Sequence, residues 1–375
     1  MIIIISAFLV CSILIVLIFR FQYIFNRYFF DTFNNIIEKN QEPQKFHDKP
    51  TPRIGGIPIF IGFILGILIA WIKDWSHLLS WLLILSALPV FFTGLLEDIT
   101  RKISPIWRLL AAFFSAGLAY WLIGAGIHRL DVVFLDQILM LMPISFLFTI
   151  FAVGGLSHAM NIIDGYNGLA SMVTIMILAA LAYVSLANND WELVSICIAM
   201  IGATFAFFIF NYPRGLIFAG DGGAYLWGFI IAEISVLLVL RHPNVSPWFP
   251  ALIAIYPIWE TIFSIYRRKI LRGRSPGLPD ALHLHSLIFK RFTSWIIGEN
   301  NPQHLTKKNS ITSIYLWGVS ALSIVPALIF WRNPWILIIF IILFIFFYGW
   351  LYRSIVRFQS PKSIFPYKKT RKAKI

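Results

Sequence analysis

The chain has 375 residues, of which 59% are hydrophobic and only 13% are charged, and its formal net charge is +14. This composition excludes an ordinary soluble globular protein and is typical of a membrane protein with many spans. Orientation in the membrane and attraction to anionic headgroups explain the positive charge, so nucleic-acid binding is not expected. Cys11 and Cys197 both lie in apolar segments, which argues against a zinc site or a disulfide scaffold.

Apolar runs that can cross a bilayer, which takes about 20 residues, recur along the whole chain. They lie near 1–19, 54–72, 78–96, 107–124, 134–154, 169–188, 194–212, 224–240, 248–265, 311–331 and 334–352. The sequence therefore predicts an all-α, polytopic bundle of about 11 transmembrane helices, with its termini on opposite sides. The basic residues Arg20 and Arg27 follow the first run, as expected for a retained span rather than a cleaved signal peptide.

Lysine and arginine are strongly biased to one side of this arrangement. Of the 31 such residues, all but Lys73, Arg129, Arg241 and Arg332 fall in segments on the same face or in the C-terminal tail. The positive-inside rule then predicts a periplasmic N-terminus and a cytoplasmic C-terminus. We expect one integral membrane domain at 1–352, with cytoplasmic loops, and a basic cytoplasmic tail at 353–375.

Five short segments on the predicted cytoplasmic face combine acid, amide and imidazole side chains. In chain order they are 47–56, 97–98, 161–168, 211–223 and 280–285. Each segment alone has an ordinary explanation, such as a helix cap, a polar turn or a solvated loop. Independent caps and turns have no reason to collect at one interface, so together they indicate a metal-assisted reaction on a charged lipid.

The first two segments lie next to predicted spans. Lys49 and Arg53 flank the rigid turn 50–52, which precedes a span. Glu97 and Asp98 end an apolar run, where interfacial solvation is the simpler explanation.

The third and fourth segments combine acids and amides with glycines. Asn161, Asp164 and Asn167 are spaced by three, so a helical turn would put them on one face. A carboxylate and two amides offer oxygen ligands suited to Mg²⁺. The alternative is a polar turn that caps the next helix. Asp221 lies between glycines just before a span and could be a helix N-cap.

The fifth segment carries His283 and His285 and is preceded by many basic residues. These are Arg267, Arg268, Lys269, Arg272 and Arg274. Such a loop suits a pyrophosphate, and a basic surface loop is the alternative.

In order, these segments resemble the polyprenyl-phosphate N-acetylhexosamine-1-phosphate transferase family, also called glycosyltransferase family 4. The motifs are Pro50-Thr-Pro-Arg-Ile-Gly-Gly56, Glu97-Asp98, Asn161-Ile-Ile-Asp-Gly-Tyr-Asn-Gly168, Asn211 with Gly220-Asp-Gly222, and Ser275-Pro, Pro279-Asp and His283-Leu-His285. The resemblance is nearest to the bacterial branch that acts on undecaprenyl phosphate and N-acetylglucosamine 1-phosphate.

The resemblance implies a membrane enzyme that makes a lipid-pyrophosphate-linked sugar and UMP from undecaprenyl phosphate and a UDP-N-acetylhexosamine. UDP-N-acetylglucosamine is the expected donor, and N-acetylgalactosamine or a deoxy-amino sugar is the alternative. The reaction would be the first membrane step of an O-antigen-like surface polysaccharide. The resemblance also implies that the protein lies in the bacterial inner membrane, with its active site on the cytoplasmic face. Its partners would be inner-membrane lipids and not nucleic acid. The oligomeric state is left open, with a homodimer as one possibility.

The resemblance also implies roles for individual residues. The catalytic residues would be Glu97, Asp98, Asp164 and Asp221, and the ligands of Mg²⁺, or alternatively Mn²⁺, would be Asn167 and Asp221. Substrate binding would fall to Lys49, Thr51, Arg108, Asn161, Asn211, Arg272, Arg274, His283 and His285. Two mechanisms are open: one acid could form a transient covalent phosphate, or the lipid phosphate could attack directly. Both would use the same residues.

Three positions depart from the family pattern. Glu97 stands where an aspartate is usual, Asn167 where many bacterial members have a second aspartate, and Ser286 at the third position of His-x-His-His. The last departure argues against a required third imidazole.

Two other classes of protein stay open on the sequence alone. Glu233 and Glu260 lie within predicted spans, as acids of ion-coupled transporters do. A transporter would place its polar residues near the midplane and in related halves, whereas here they crowd one interface without a repeat. An inactive membrane scaffold is the other class.

Overall fold

The computed structural model describes residues 1–28, 51–271, 273, 282–293 and 305–357. Within these ranges the chain forms α-helices and no β-strand. The helices are α1 (Ile2–Tyr28), α2 (Gly56–Ile72), α3 (Leu78–Thr100), α4 (Pro105–Ile123), α5 (Val133–Leu139), α6 (Met142–Ile163), α7 (Leu169–Ala187), α8 (Trp191–Asn211), α9 (Gly220–Arg241), α10 (Trp248–Ile253), α11 (Ile255–Tyr266), α12 (Leu284–Leu287), α13 (Leu305–Phe330) and α14 (Pro334–Val356). Two π-helical turns, Arg267–Leu271 and Ile288–Thr293, follow α11 and α12.

In the described part of the chain, nine helices are long and apolar enough to cross a membrane. The protein is therefore a polytopic helical membrane protein, as the sequence predicts. The apolar helix α2 is shorter, with 17 residues, and the predicted span at 248–265 is divided at Ala254 into α10 and α11. All the predicted apolar runs overlap a helix or a helix pair, while the exact span count and the orientation stay predictions.

Several helix ends differ from the predicted spans. The bounds of the span predicted at 134–154 are wrong, because α6 covers Met142–Ile163 and the separate helix α5 precedes it. Similarly, α3 continues to Thr100 and α9 begins at Gly220. A hydropathy pattern stops at the first polar residues, whereas the i to i−4 hydrogen bonds of a helix continue through them. Many polar motif residues therefore lie in the terminal turns of helices.

The central helix of the bundle is α9. Every residue from Gly220 to Leu238 is buried, and α9 packs against α2, α3, α4, α6, α7 and α8. A helix that is buried all round forms the core of a bundle. Its first turn, which carries Asp221, is therefore held by several neighbouring helices.

Glycines allow the first turn of α9 to approach α2 and α3 closely. A Cβ atom on Gly94 of α3 would lie 2.6 Å from the backbone nitrogen of Gly222, and one on Gly56 would lie 2.6 Å from that of Gly223. No real Cβ contact is that short, so these three helices could not pack this closely with any other residue.

The opposite end of the bundle has its own polar network. Arg241, in the last turn of α9, donates hydrogen bonds to Asp190 at 3.1 Å and to Glu192 at 3.0 Å, and the His242 ring lies 2.9 Å from Asp190. These acids and bases pair with one another, so we assign this network a structural role.

Candidate active site

Residues 51–56, the described part of the predicted segment 47–56, lie beside the segment 211–223 at the starts of α2 and α9. Backbone and side-chain hydrogen bonds join them. These run from Gly55 N to Phe218 O (2.9 Å), from Gly56 N to Ala219 O (2.8 Å), from Phe218 N to Pro52 O (2.9 Å) and from Thr51 Oγ1 to Gly215 O (3.1 Å). This pairing brings the Arg53 guanidinium to the acids of α3 and α9.

Asp98, in the last turn of α3, holds the start of α9. Its side chain is buried, and its two oxygens accept the backbone N–H groups of Asp221 (2.8 Å) and Gly222 (3.0 Å). These N–H groups have no partner within their own helix, and a carboxylate there is also favoured by the helix dipole. The suggestion that Asp221 is an N-cap is therefore wrong, because Asp98 of another helix binds these groups.

Gly220 is required beside Asp98. Its φ angle is +71°, and a Cβ atom at this position would lie 2.4 Å from Oδ2 of Asp98. Only glycine combines that backbone conformation with so close a carboxylate.

Asp221 lies at the centre of a partly buried cluster of polar and charged side chains. Nη1 of Arg108 donates a hydrogen bond to its Oδ2, and Nδ2 of Asn161 donates one to its Oδ1 at 3.1 Å. Nη2 of Arg53 lies 3.5 Å from Asp221 Oδ1 and 3.7 Å from Asp98 Oδ1. We call Arg53, Asp98, Arg108, Asn161 and Asp221 the carboxylate–arginine cluster. The cluster thus brings two carboxyl groups together with two arginines.

Glu97 lies outside this cluster, although it is adjacent to Asp98. Its Oε2 accepts the backbone N–H of Ile103 at 2.7 Å, and its carbonyl oxygen accepts that of Arg101. It therefore braces the short loop between α3 and α4.

The segment 161–168 does not form one helical face. Helix α6 ends at Ile163, and Asp164 has φ −80° and ψ 51°, so the helical spacing stops there. Asn161 contacts Asp221, whereas Nδ2 of Asn167 donates to the carbonyl of Pro213 at 2.9 Å. The expectation that Asn161, Asp164 and Asn167 share a face is therefore wrong.

Asn167 and Asn211 form a second network next to the cluster. The backbone N–H of Asn167 donates to Oδ1 of Asn309 at 2.7 Å. Asn211 accepts the N–H of Gly168 at 2.5 Å and donates to the carbonyl of Ile217 at 2.7 Å. Asn211 thus joins the turn after α6 to the loop before α9. Oδ1 of Asn167 is buried and accepts no hydrogen bond from the residues that the structure describes.

His285 contacts the segment 161–168, and His283 stacks on His285. The His283 and His285 rings stack with their centroids 5.1 Å apart, and the His285 ring centroid lies 5.2 Å from that of Tyr166. Nδ1 of His283 lies 2.9 Å from Oε1 of the buried Glu260. The fifth polar segment therefore meets the third, as their shared side predicts.

The structure thus brings Asp98, Arg108, Asn161 and Asp221 together in the cluster, whereas Glu97 bonds to the loop at Ile103. The remaining described candidates with contacts given above are Thr51, Asn167, Asn211, His283 and His285. Lys49, Arg272 and Arg274 lie outside the described residues.

Sequence reasoning gave no site role to Arg53, Glu260 or His158. His158 lies on α6 three residues before Asn161, its ring is 4.8 Å from that of Tyr225, and its buried Nε2 has no hydrogen-bond partner among the described residues. The sequence does contain a signal for His158, because a histidine within an apolar span and one turn from a motif residue indicates a functional position.

Comparison with known proteins matches this chain to one family and to several of its named transferases. Residues 80–239 match the family described as Glycosyl transferase family 4. The chain is 29% identical over 306 residues to a Bacillus subtilis protein named probable undecaprenyl-phosphate N-acetylglucosaminyl 1-phosphate transferase, covering 80% of each chain. It is 30% identical over 263 residues to the Yersinia pestis undecaprenyl-phosphate alpha-N-acetylglucosaminyl 1-phosphate transferase, covering 67% of this chain and 69% of that one.

Relatives with another sugar in their names also match. The phospho-N-acetylmuramoyl-pentapeptide-transferase of Lactobacillus acidophilus is 30% identical over 238 residues, which are 60% of this chain and 71% of the relative.

Proposed function

We propose, since the chain belongs to glycosyl transferase family 4, that it transfers N-acetylglucosamine 1-phosphate from UDP-N-acetylglucosamine to undecaprenyl phosphate. The observation that carries this proposal is the carboxylate–arginine cluster at one end of a membrane-spanning bundle. Four of its five residues, Asp98, Arg108, Asn161 and Asp221, fall within the matched residues 80–239. The names of the relatives in Bacillus subtilis and Yersinia pestis support the lipid acceptor and the sugar.

The chemistry follows from the charges of the substrates. An oxygen of the lipid phosphate attacks the phosphorus that bears the sugar, a new P–O bond forms, and the P–O bond to UMP breaks. A phosphomonoester is largely dianionic at neutral pH and is already a nucleophile. At 4 Å and an effective dielectric of about 20, each like-charge pair costs roughly 4 kcal/mol, so the site must neutralise the encounter.

Arg53 and Arg108 can supply that neutralisation from the protein itself. Both lie against Asp221, and their side chains are 26% and 16% exposed, so they are held in place and yet remain within reach of a substrate. Asp98 fixes the backbone of Asp221 and thereby the direction of its carboxylate.

Magnesium is the cofactor that we propose, with Asp221 and Asn167 as its protein ligands. In the described part of the chain, no three His, Cys, Asp or Glu side chains converge on one point. Magnesium often binds one or two carboxylates together with substrate phosphates, so this arrangement fits it. The buried Oδ1 of Asn167, which accepts no hydrogen bond from the described residues, is a suitable oxygen. When bound, the ion would supply positive charge to the transferring phosphate.

Recognition of the nucleotide is proposed for the histidines and the basic residues near them. His285 lies against Tyr166 of the motif segment, and His283 stacks on His285, so this pair of rings is next to that segment. We include Lys49, Thr51, Arg272 and Arg274 in this role, and Glu97 and Asp164 as acids near the reacting phosphates.

We further propose that the site faces the cytoplasm of a bacterial inner membrane and starts assembly of a surface polysaccharide. The basic residues are concentrated at the site's end of the helices, which is the cytoplasmic end under the positive-inside rule. An ion-coupled transporter finds no support in the relatives, which carry the names of transferases.

The test is a transfer assay with purified protein, undecaprenyl phosphate and radiolabelled UDP-sugars. We expect a radiolabelled lipid product and UMP with UDP-N-acetylglucosamine. A parallel arm uses UDP-N-acetylmuramoyl-pentapeptide, because relatives named for that sugar also match. Transfer only in that arm would correct the sugar, and no transfer of any sugar would refute the function.

A further inference from the structure

Glu260 of α11 is a buried acid that no step of the proposed reaction uses. It is 1% exposed, and an acid in such a place is costly unless its oxygens are hydrogen-bonded. Its Oε1 lies 2.9 Å from Nδ1 of His283 and accepts the backbone N–H of Leu284 at 3.2 Å. Its Oε2 accepts the hydroxyl of Tyr348 at 2.7 Å. Glu260 therefore joins the histidine segment, residues 282–293, to helix α14.

Helix α14 contacts the histidine segment at two further points. The hydroxyl of Tyr352 donates to the carbonyl of Leu282 at 3.3 Å and accepts a hydrogen bond from Arg267 at 2.6 Å. Arg291 donates to the carbonyl oxygens of Ile355 and Val356 at the end of α14. These contacts lie on both sides of His283, so α14 fixes the segment before and after it.

The bond to Glu260 decides which nitrogen of His283 can serve a substrate. Because a carboxylate only accepts, Nδ1 carries a proton, and Nε2 is the atom that donates to or accepts from a phosphate. The ring also stacks on His285, which lies against Tyr166. A continuous set of contacts thus runs from Tyr348 through Glu260 and His283 to the motif segment.

We propose that Tyr348 and Glu260 are positioning residues that orient the His283 imidazole toward the UDP-sugar, with α14 as the support of the histidine segment. This inference rests on the proposed function and adds to it the source of the histidine's orientation. It assigns a role in substrate recognition to a helix that lies outside the family-matched residues 80–239.

The test is Tyr348→Phe, which keeps the ring and removes only the hydroxyl. A hydrogen bond to a charged group contributes enough that its loss should raise the KM for the UDP-sugar about tenfold. We expect kcat and the KM for the lipid phosphate to change by less than about twofold. In a His283→Ala background, Tyr348→Phe should have no further effect on that KM, because the two residues act through one contact.

The matched control is Tyr256→Phe in α11. Its hydroxyl is also buried, but it has no hydrogen-bond partner among the described residues, so its removal should leave both KM values unchanged. Tyr352→Phe is the second variant and should raise the same KM, by way of Leu282. Thermal unfolding in detergent should be measured for every variant.

An unchanged KM for the UDP-sugar in Tyr348→Phe, or effects of Tyr348→Phe and His283→Ala that multiply, would overturn the inference while wild-type activity stands. Absence of transfer by the wild-type protein would instead refute the proposed function.

Discussion

The adjacent acids Glu97 and Asp98 at the end of α3 have different surroundings and should have different roles. Adjacent side chains on a helix point about 100° apart. Asp98 is enclosed by the first turn of α9 and by Gly220, whereas Glu97 reaches the partly exposed loop at Ile103. The position of Asp98 therefore tolerates less change in length than that of Glu97.

Exchanging the lengths of these two acids tests this difference. In Asp98→Glu the extra methylene must push against Gly220 and shift Asp221, and a displacement of about 1 Å can cost on the order of a hundredfold in rate. Glu97→Asp should lose only the bond to Ile103 and keep most of the activity. Initial rates at saturating substrates, with matched expression, measure both effects. Equal losses, or a larger loss for Glu97→Asp, would contradict this ranking.

The proposed metal ligands can be separated by two substitutions. Asp221→Asn should abolish transfer and leave folded protein, because the amide keeps the shape but removes the charge that faces Arg53 and Arg108. Asn167→Ala should raise the Mg²⁺ concentration needed for half-maximal activity by on the order of tenfold. Magnesium titrations of rate and of thermal stability measure this requirement. Full activity of Asp221→Asn, or activity that survives complete chelation, would remove the metal assignment.

At the scale of elements, the site lies where the first turn of α9 packs closely against α2 and α3. Glycines at these contacts leave no side chain between the helix backbones. The first turn of α9 lies against α3 at Gly94 and against α2 at Gly56. Sites on packed helices hold their side chains more firmly than sites on loops. The glycines of these contacts therefore help to set the geometry of the candidate active site.

Gly94→Ala tests the contact between α3 and α9. Its Cβ would meet the backbone of Gly222, and such overpacking costs typically about 1–3 kcal/mol of stability. We expect a lower melting temperature together with a clear loss of rate, since Asp98 and Asp221 move apart. Gly155→Ala in α6 is the matched control, because a Cβ there meets no heavy atom within 4 Å. A Gly94→Ala variant as stable and active as the control would show that the helices can separate without harm.

At the scale of the whole molecule, the two ends of the bundle carry different chemistry. The candidate active site occupies one end, and the paired network of Asp190, Glu192, Arg241 and His242 occupies the other. From the distribution of lysine and arginine we predict that the end with the candidate active site faces the cytoplasm.

Labelling of introduced cysteines tests this orientation. The native Cys11 and Cys197 are both fully buried and should not react. A cysteine at Lys102, an exposed position in the loop between α3 and α4, should react only from the cytoplasm. One at Asn244, exposed at the other end, should react with an impermeant reagent from outside. Reversed labelling would refute the orientation and the site model together, because UDP-sugars are cytoplasmic.

The sequence by itself determined the membrane class, the approximate place of each span, the shared side of the polar segments and the family. These properties depend on hydropathy, charge and short motifs, which can be read without knowing which helices touch. The same local patterns predicted some helix ends wrongly, as at α6 and α9. The apolar run stops at the first polar residues, whereas the helical hydrogen bonds continue through them.

Only the tertiary structure decided which residues act together. Asp98 binds the backbone of Asp221 from 123 residues away, and Tyr348 binds Glu260 from 88 residues away. Asn161 meets Asp221, while Asn167, only six residues further, meets the loop before α9 instead. Such pairings depend on the order in which helices pack around α9 and on where each helix ends, and no local pattern in a single sequence records either.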